Sequence, residues 1–407
     1  MERALEHELI VRVGDNILSP LGMSTEATLQ AVLNGESALR RYEGYWNLPE
    51  SFVASLLDFE AIDRIWTARY GTEQQANYTD FERMAILSAS FALEKAGIRP
   101  ESDRVLFILS TTKGNVALLE SDNRLREEVL LDWSARRIAD FFHNPNPAIV
   151  VSNACTSGLC AQITAMRALW SGRCDHAVVI GADRQSRFIV SGFQSFKALS
   201  LESCRPFDRQ RTGLNLGEAA ATIVYTRRHR EEIADGDWIA CQGAIRNDAN
   251  HISGPSRTGE GCYRALQSIL QGVDPAELAV VNVHGTATLY NDEMESIALN
   301  RAGLSGIPVN GLKGYFGHTM GAAGVLESIL TMHAVDAGIV LGTRGYAECG
   351  VSHPLRLSAQ HAQTSQRCFV KMLSGFGGCN AAMLFKRGGA LCCCLLYTSP
   401  SPRDPKT

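Results

Sequence analysis

Strongly apolar segments alternate with helical patterns along most of this 407-residue chain. Such continuous runs, bounded by glycine, are typical of strands covered on both faces, and their alternation with helices favours α/β layers. The strand-like segments read RVLFIL, PAIVVSNA, HAVVIGAD and AAATIVYT in the first half, and LAVVNVHG, GIPVNGLKG, CFVKMLSG and AAMLFKR in the second. The sequence therefore predicts an α/β fold in which one succession of elements occurs twice.

The two halves are similar in the order of their motifs. ACTSGLCA and GHTMGAAG each place a reactive side chain, a threonine and a glycine at the start of a helix, and GEAAATIVYT resembles GCNAAMLFKR. This self-similarity predicts halves at residues 1–236 and 237–390, divided within TRRHREEIADGD. Both helices are rich in small residues that permit close packing, so we expect them to be central and buried. Residues 391–407, which begin LCCCLLYTSP, are predicted to be a disordered or non-native tail.

Composition argues against two classes of function. The net charge of −4 gives no electrostatic case for nucleic-acid binding. No segment reaches the roughly 18 consecutive apolar residues of a membrane helix, and the N-terminus lacks the order of a secretory signal. The twelve cysteines are scattered through strand and helix patterns, which predicts free thiols in a reducing, cytoplasmic setting.

One cysteine occupies a position that favours reactivity. Cys155 lies in VVSNACTSGLC, where a strand pattern passes into a helical one. Unpaired N–H groups at a helix start stabilise a thiolate, so the position predicts a nucleophile that is ionised near neutral pH. His284 follows a buried strand, while Lys313 and His318 precede the second small-residue helix. Each residue alone is more often a packed or solvated side chain, but one cysteine and two such histidines together predict acyl transfer.

These motifs resemble those of the β-ketoacyl-acyl-carrier-protein synthases that use a Cys-His-His set, within the thiolase-like superfamily. NACTSG resembles the nucleophile motif, VNVHGTAT the first histidine motif, LKGYFGHTMGAAG the lysine and second histidine motif, and SGFGGCNAAM the closing glycine loop. RPFDRQRTGLNLGEAAA and LSPLG match two further signatures, so the resemblance spans nearly the whole chain. It implies a thiolase-like fold in which two similar α/β halves form a five-layered αβαβα core.

The resemblance implies a 3-oxoacyl-[acyl-carrier-protein] synthase of fatty-acid, polyene or polyketide biosynthesis. In such an enzyme Cys155 takes an acyl group from a carrier protein as a thioester. A malonyl-loaded carrier protein then loses CO2, and its carbanion attacks that thioester. No cofactor and no metal are implied. The implied partners are acyl- and malonyl-loaded carrier proteins and a second copy of the chain in a homodimer, or a related subunit in a heterodimer.

Individual residues receive roles from the same resemblance. His284 and His318 would hydrogen-bond the malonyl thioester oxygen as the enolate forms. The backbone N–H groups of Cys155 and Phe376 match the oxyanion hole, and the gate around Phe376 includes Gly375 and Gly377. The supporting residues are Lys313, Glu327, Asp292 and Glu295. Lys313 and Glu327 are expected to pair with each other, because burying either charge alone is costly.

Two alternatives remain at this point. A non-catalytic, chain-length-determining partner subunit usually lacks the nucleophile, whereas this chain has Cys155 and both histidines. A thiolase or a starter enzyme that uses CoA thioesters is disfavoured, because the starter group has asparagine where His318 stands. Ser374 and Asn153 depart from residues common in the family, so the gating and the pocket shape stay open. The sequence also does not specify the acyl chain length or the carrier-protein docking patch.

Overall fold

A computed structural model describes residues 8–120 and 126–389 of the chain. The predicted tail at 391–407 lies outside these residues. The strands are β1 (Glu8–Leu18), β2 (Arg40–Tyr42), β3 (Phe52–Ser55), β4 (Val105–Ser110), β5 (Ile149–Val151), β6 (His176–Asp183), β7 (Leu216–Gly217), β8 (Ala219–His229), β9 (Trp238–Asn247), β10 (Leu278–Asn282), β11 (Val309–Asn310), β12 (Ile339–Val340), β13 (Ala362–Gln363), β14 (Cys368–Gly375) and β15 (Cys379–Arg387).

Helices connect most of these strands. They are α1 (Thr25–Leu33), α2 (Phe59–Tyr70), α3 (Thr72–Gln75), α4 (Asp80–Ala96), α5 (Leu131–Phe141), α6 (Ser157–Trp170), α7 (Arg187–Ser195), α8 (Glu260–Ile269), α9 (Leu289–Arg301), α10 (Lys313–Phe316) and α11 (Ala323–Asp336). Among the described residues, no helix combines the length and apolar character that crossing a bilayer requires.

Two five-stranded sheets carry the fold. The ten main strands follow the order β11-β10-β14-β15-β9-β1-β8-β6-β4-β5, but β1 and β9 share only the pair Val11–Ile239, where one sheet ends and the other begins. Within each sheet, three parallel strands are followed by two antiparallel ones. In both sheets the third strand along the chain forms the outer edge and the first strand lies at the junction. This identical order confirms the predicted α/β architecture of two similar halves.

Three apolar clusters define five layers. The largest one packs α6 and α11 between the two sheets. A second packs α4 and α5 against the outer face of the first sheet, and a third packs α8 and α9 against the outer face of the second. The helices that follow Cys155 and His318 are therefore central and buried, as predicted.

Glycine sets the distance between the two central helices. A Cβ atom on Gly158 would lie 2.9 Å from the Cα of Gly324, and a Cβ atom on Gly324 would lie 2.5 Å from the backbone nitrogen of Leu159. Neither backbone has room to accept a methyl group without moving. The contact between α6 and α11 is thus a contact between main chains.

Gly324→Ala is expected to destabilise the protein by about 1–3 kcal/mol, because overpacking at a backbone contact outweighs the usual helical preference for alanine. The midpoint of urea unfolding measures this change. Gly192→Ala in α7 is the matched control, since no atom lies within 4 Å of the added Cβ there. We expect that variant to be neutral or slightly more stable. An unchanged midpoint for Gly324→Ala would contradict the close contact.

Candidate active site

The nucleophile turn connects β5 to α6. Ala154 has a φ of 47° here, a conformation that costs a non-glycine residue about 1–3 kcal/mol. Thr156 Oγ1 donates to the carbonyl of Asn153 at 2.7 Å, and Ser157 Oγ donates to the carbonyl of Ala154 at 2.6 Å. These bonds hold the strained turn and fix Cys155 just before the first turn of α6.

Three connections bring a sulfur and two imidazoles together. Cys155 precedes α6, His284 follows β10, and His318 lies between α10 and α11. The Cys155 Sγ and one ring nitrogen of each histidine lie within 4.8 Å of one another, and all three residues are buried. The imidazole rings meet edge to face, with centroids 4.9 Å apart. Both halves of the chain therefore contribute to a single cluster.

Hydrogen bonding defines the tautomer of His318. The backbone N–H of Met320 donates to His318 Nδ1 at 3.3 Å, so Nδ1 is the acceptor and Nε2 carries the hydrogen. Within the described part of the chain, neither this Nε2 nor Nδ1 of His284 has a hydrogen-bond partner. A buried polar atom without a partner costs about 1–3 kcal/mol. Hydrogen bonds within the described protein therefore leave both of these nitrogens unsatisfied.

The Cys155 thiol is protonated at rest. Burial raises the pKa of Cys155 to about 11, against the opposing charges of Lys113 and Lys313. The prediction of a thiolate near neutral pH is therefore wrong, because burial of the sulfur outweighs the nearby positive charges that favour ionisation. A base must accept the proton when the sulfur reacts, and the two imidazoles are the nearest candidates.

Alkylation of Cys155 by iodoacetamide is expected to keep accelerating with pH up to and beyond 10. The thiolate is the reactive form, and a pKa near 11 leaves about a hundredfold less of it at pH 8 than the ordinary value of 9.0 would. Peptide mass mapping of timed samples separates Cys155 from the other cysteines. A rate that levels off by pH 8 would restore the thiolate expected from the sequence.

Both imidazoles are uncharged near neutral pH. Burial lowers the pKa of His284 well below its ordinary value, and the Lys313 ammonium lowers it further. Burial and Lys313 act in the same direction on the pKa of His318, with an added effect of Lys113. A neutral imidazole carries one N–H donor and one acceptor nitrogen, so the pair can hydrogen-bond an oxygen or accept a proton.

A buried carboxylate beneath the histidines lies between two lysines. Lys313 Nζ donates to Glu327 Oε1 at 2.8 Å and to the carbonyl of His284 at 2.6 Å. Lys371 Nζ donates to the other oxygen, Glu327 Oε2, and to the carbonyl of Val283 at 3.1 Å. The Lys313–Glu327 pair matches the sequence expectation, whereas Lys371 was missed. Its only signal is a single lysine in the apolar segment CFVKMLSG.

The two predicted acidic residues fix the loop after His284. Glu295 accepts from the backbone N–H groups of His284 at 2.7 Å and of Gly285 at 2.8 Å. Asp292 accepts from the N–H of Phe207 at 2.7 Å. Burial and the neighbouring Asp292 raise the pKa of Glu295 to about 7, and burial raises the pKa of Asp292 to about 6. Both carboxyls bind the backbone near the imidazoles, and neither is among the three clustered groups.

The clustered groups open into a cavity of about 440 Å³. Its walls include Cys155, both histidines and the rings of Phe193 and Phe376, which stack with centroids 6.2 Å apart. Large apolar side chains that line this cavity are partly exposed to solvent: Phe196, Leu289, Tyr290 and Phe376. A larger cavity of about 640 Å³ lies beside α8 and contains none of the predicted site residues.

The glycine loop packs directly against the nucleophile turn. A Cβ atom on Gly375 would lie 3.1 Å from the backbone nitrogen of Cys155. Gly377 has a φ of 82°, in the left-handed region that glycine favours. Cys379 Sγ donates to Asn153 Oδ1 at 2.9 Å and ties the end of the loop to the turn. Many members of the resembled family have phenylalanine where this chain has Ser374. Here the Ser374 hydroxyl donates a hydrogen bond to the Asn380 side chain.

The sulfur and imidazole nitrogens are also a possible ligand set for a metal ion such as zinc. The electrostatic potential around these three groups disfavours a bound metal ion. The ammonium groups of Lys113, Lys313 and Lys371 all act on the titration of this cluster, and their positive charge disfavours a further cation. The same field favours an oxygen that acquires negative charge.

Comparisons with known proteins agree with this geometry. Residues 7–230 match the family described as beta-ketoacyl synthase, N-terminal domain, and residues 239–347 match beta-ketoacyl synthase, C-terminal domain. A 3-oxoacyl-[acyl-carrier-protein] synthase 2 of Rhizobium meliloti is 29% identical to the chain, with 93% of this chain and 98% of that protein aligned.

Solved structures repeat the fold. A beta-ketoacyl synthase from Burkholderia phymatum superimposes with a TM-score of 0.83 at 23% identity, over 93% of this chain and 99% of the other. A ketosynthase of Xenorhabdus doucetiae, solved in complex with its chain length factor, gives a TM-score of 0.80 at 22% identity, over 93% and 98%. The two-sheet architecture with central helices is thus the fold of these proteins.

Proposed function

The chain belongs to the β-ketoacyl synthase family, and from this membership we propose that it condenses a malonyl group on a carrier protein with an acyl group held on Cys155. The observation that carries the proposal is the cluster of the Cys155 sulfur with two uncharged imidazoles within 4.8 Å. The chain is a 3-oxoacyl synthase, an acyltransferase that forms a carbon–carbon bond, in fatty-acid or polyketide synthesis.

The first half-reaction loads the sulfur. Cys155 Sγ attacks the acyl thioester of the carrier protein while an imidazole of His284 or His318 accepts the thiol proton. The tetrahedral oxyanion is stabilised by backbone N–H groups of Cys155 and Phe376, which the close approach of Gly375 brings together. The C–S bond to the carrier breaks, and its sulfur takes the proton from the imidazole. The acyl group is now a thioester on Cys155.

The second half-reaction forms the C–C bond. A malonyl thioester loses CO2, and the electron pair of the broken bond becomes an enolate whose oxygen hydrogen-bonds His284 and His318. The α-carbon attacks the acyl carbonyl, and the C–S bond to Cys155 breaks. The product is a β-ketoacyl chain two carbons longer, and the Cys155 thiolate takes up a proton from water. Lys313, Glu327, Glu295 and Asp292 support the imidazoles and do not touch the reacting atoms.

The assembly and setting are part of the same proposal. The edge strand β5 leaves one side of its backbone unpaired among the described residues, and its sequence Ile-Val-Val suits pairing with a second copy of the chain. A homodimer is therefore our first choice, and a related subunit, as in the Xenorhabdus complex, is the alternative. The nine cysteines in the described ranges are free, which supports a reducing, cytoplasmic location. The proposed halves of the chain are residues 1–236 and 237–390.

Intact-mass spectrometry tests the proposal directly. Purified protein is incubated with a panel of acyl-carrier proteins, and malonyl-carrier protein is then added. We expect an acyl adduct that maps to Cys155 and disappears on addition of the malonyl donor, and no adduct in Cys155→Ala. Cys349→Ser, which changes a thiol outside the cavity, should load like the wild type. A wild-type protein that accepts no acyl group from any donor would favour a non-catalytic partner subunit.

A further inference from the structure

Lys371 is a fully buried cation whose ion pair in the described residues is with Glu327, a carboxylate that also pairs with Lys313. It lies on β14, in a strand whose other residues are mostly apolar, and none of its surface is exposed. Its Nζ donates to Glu327 Oε2 and to the carbonyl of Val283. The second oxygen of Glu327 already accepts from Lys313 at 2.8 Å. One carboxylate therefore serves two ammonium groups.

Stability alone does not account for this arrangement. Lys313 and Glu327 would form a charge-balanced pair without Lys371, which adds a positive charge in the interior. Burying a charge without its own partner costs free energy, and an apolar side chain of similar volume is often neutral or better. Burial accordingly lowers the pKa of Lys371 to about 8, although the Glu327 carboxylate opposes the shift.

We propose that Lys371 is a positioning residue for the condensation step, which it serves by holding the strand end before His284 and by adding a second positive charge beneath the imidazole pair. The inference rests on the proposed condensing function and deepens it. Lys371 does not line the cavity that contains Cys155, so it acts through the histidines.

The first part of this role is mechanical. The carbonyl of Val283 accepts from Lys371, and the carbonyl of His284 accepts from Lys313. On the opposite edge of the same segment, the N–H groups of His284 and Gly285 donate to one carboxylate, that of Glu295. The peptide units on both sides of His284 are thus clamped, and the backbone from which the imidazole projects cannot rotate.

The second part is electrostatic. The charged and titratable groups around the sulfur and the imidazole pair in the described residues are Cys155, Lys113, Asp183, Lys313, Lys371, Glu327, Glu295 and Asp292. Lys371 lowers the pKa of both histidines, after the larger effects of burial and Lys313. An uncharged imidazole donates a hydrogen bond to the enolate without supplying an acidic proton to it.

A charged imidazole would open a wasteful reaction. After the malonyl group loses CO2, the electron pair on the α-carbon can take a proton from an imidazolium, which regains one from water. The product is then an acetyl thioester in place of a new C–C bond. The ratio of acetyl-carrier protein to β-ketoacyl product therefore reports the charge of the histidine pair, which a purely structural role of Lys371 would not change.

The test uses Lys371→Met, which keeps the volume and removes the charge, and Lys371→Gln, which keeps a hydrogen-bond donor. With acyl- and malonyl-carrier proteins between pH 5 and 8, we expect both variants to move the acid limb of condensation to higher pH. Along that limb the acetyl-to-condensed ratio should rise by about tenfold for each unit by which the pH falls, as the protonated fraction of the imidazole does. Lys386→Met on β15 is the matched control, because it removes a buried lysine from a pair with Glu277 outside the cavity; its profile should follow the wild type.

The outcomes separate this inference from the function on which it rests. Loading of wild-type Cys155, checked first, establishes the condensing activity. If the wild type loads and condenses but both Lys371 variants give its pH profile and product ratio, the inference is overturned and the function stands. Failure of both variants to fold would make Lys371 a residue of stability and would likewise overturn it. A displaced profile with an unfolding midpoint equal to or above that of the wild type supports it.

Discussion

His284→Ala and His318→Ala are each expected to reduce condensation by about 10²–10³-fold while leaving a protein that still loads an acyl group on Cys155. Each substitution removes one of two preorganised groups that face the developing enolate, and the loss of one such donor costs about 2.7–4 kcal/mol. Loading survives because the remaining imidazole also belongs to the cluster within 4.8 Å of the sulfur and can accept the thiol proton. Turnover of malonyl-carrier protein and the adduct mass measure the two steps separately.

The double variant makes this prediction sharper. His284→Ala/His318→Ala has no imidazole beside the sulfur, so we expect loading to fall as well. His353→Ala is the control, because that residue does not line the cavity. Equal losses of loading and condensation in each single variant would contradict the division of labour between the two half-reactions.

Glu327→Gln is expected to destabilise the protein by about 3–5 kcal/mol, the usual effect of leaving a buried charge uncompensated. The substitution keeps the shape of the side chain but places the Lys313 and Lys371 ammonium groups on either side of a neutral amide. Burial opposes ionisation of Glu327, yet the two lysines outweigh it and lower its pKa, so the carboxylate is the form that the fold requires. Chemical unfolding followed by circular dichroism measures the change.

A second substitution, at Lys371, is expected to restore part of the stability lost in Glu327→Gln. Glu327→Gln/Lys371→Met carries one unpaired ammonium instead of two, so part of the lost stability should return. Glu260→Gln is the surface control, since that exposed carboxylate pairs with Arg264 and Arg301 and such pairs contribute about 0–1 kcal/mol. A Glu327→Gln protein as stable as the wild type would show that the lysines are not charged in the core.

The sequence predicted the fold class and the clustered residues for related reasons. Gly-bounded apolar runs and helices recur in one order in both halves, and that order is what the two sheets share. Cys155, His284 and His318 each follow a strand or precede a small-residue helix, which are positions where side chains of a layered α/β fold converge. Their meeting within 4.8 Å is a product of tertiary packing, and the motifs that carry them made it predictable.

Other properties depend on packing that no local pattern records. The Cys155 thiol is neutral because neighbours from both halves remove it from water, and the strength of that desolvation cannot be read from NACTSG. In the sequence, Lys371 does not differ from other lysines on strands. Its role depends on tertiary structure, because β14 pairs with β10 and Glu327 of α11 lies beside its ammonium group. The short strands β2, β3, β7, β12 and β13 lack the long apolar runs that marked the main sheets.

The main-chain contact at Gly158 and Gly324 joins the half that contains the Cys155 sulfur to the half that contains both imidazoles. In a molecule whose halves have each folded but have not yet docked, the Cys155 thiol would have no proton acceptor beside it. The two imidazoles would have no acyl thioester beside them. Such an assembly intermediate would not load an acyl group by this route, because Cys155 would lack its proton acceptor. Docking of α6 on α11 would then complete the site in which Cys155 is acylated.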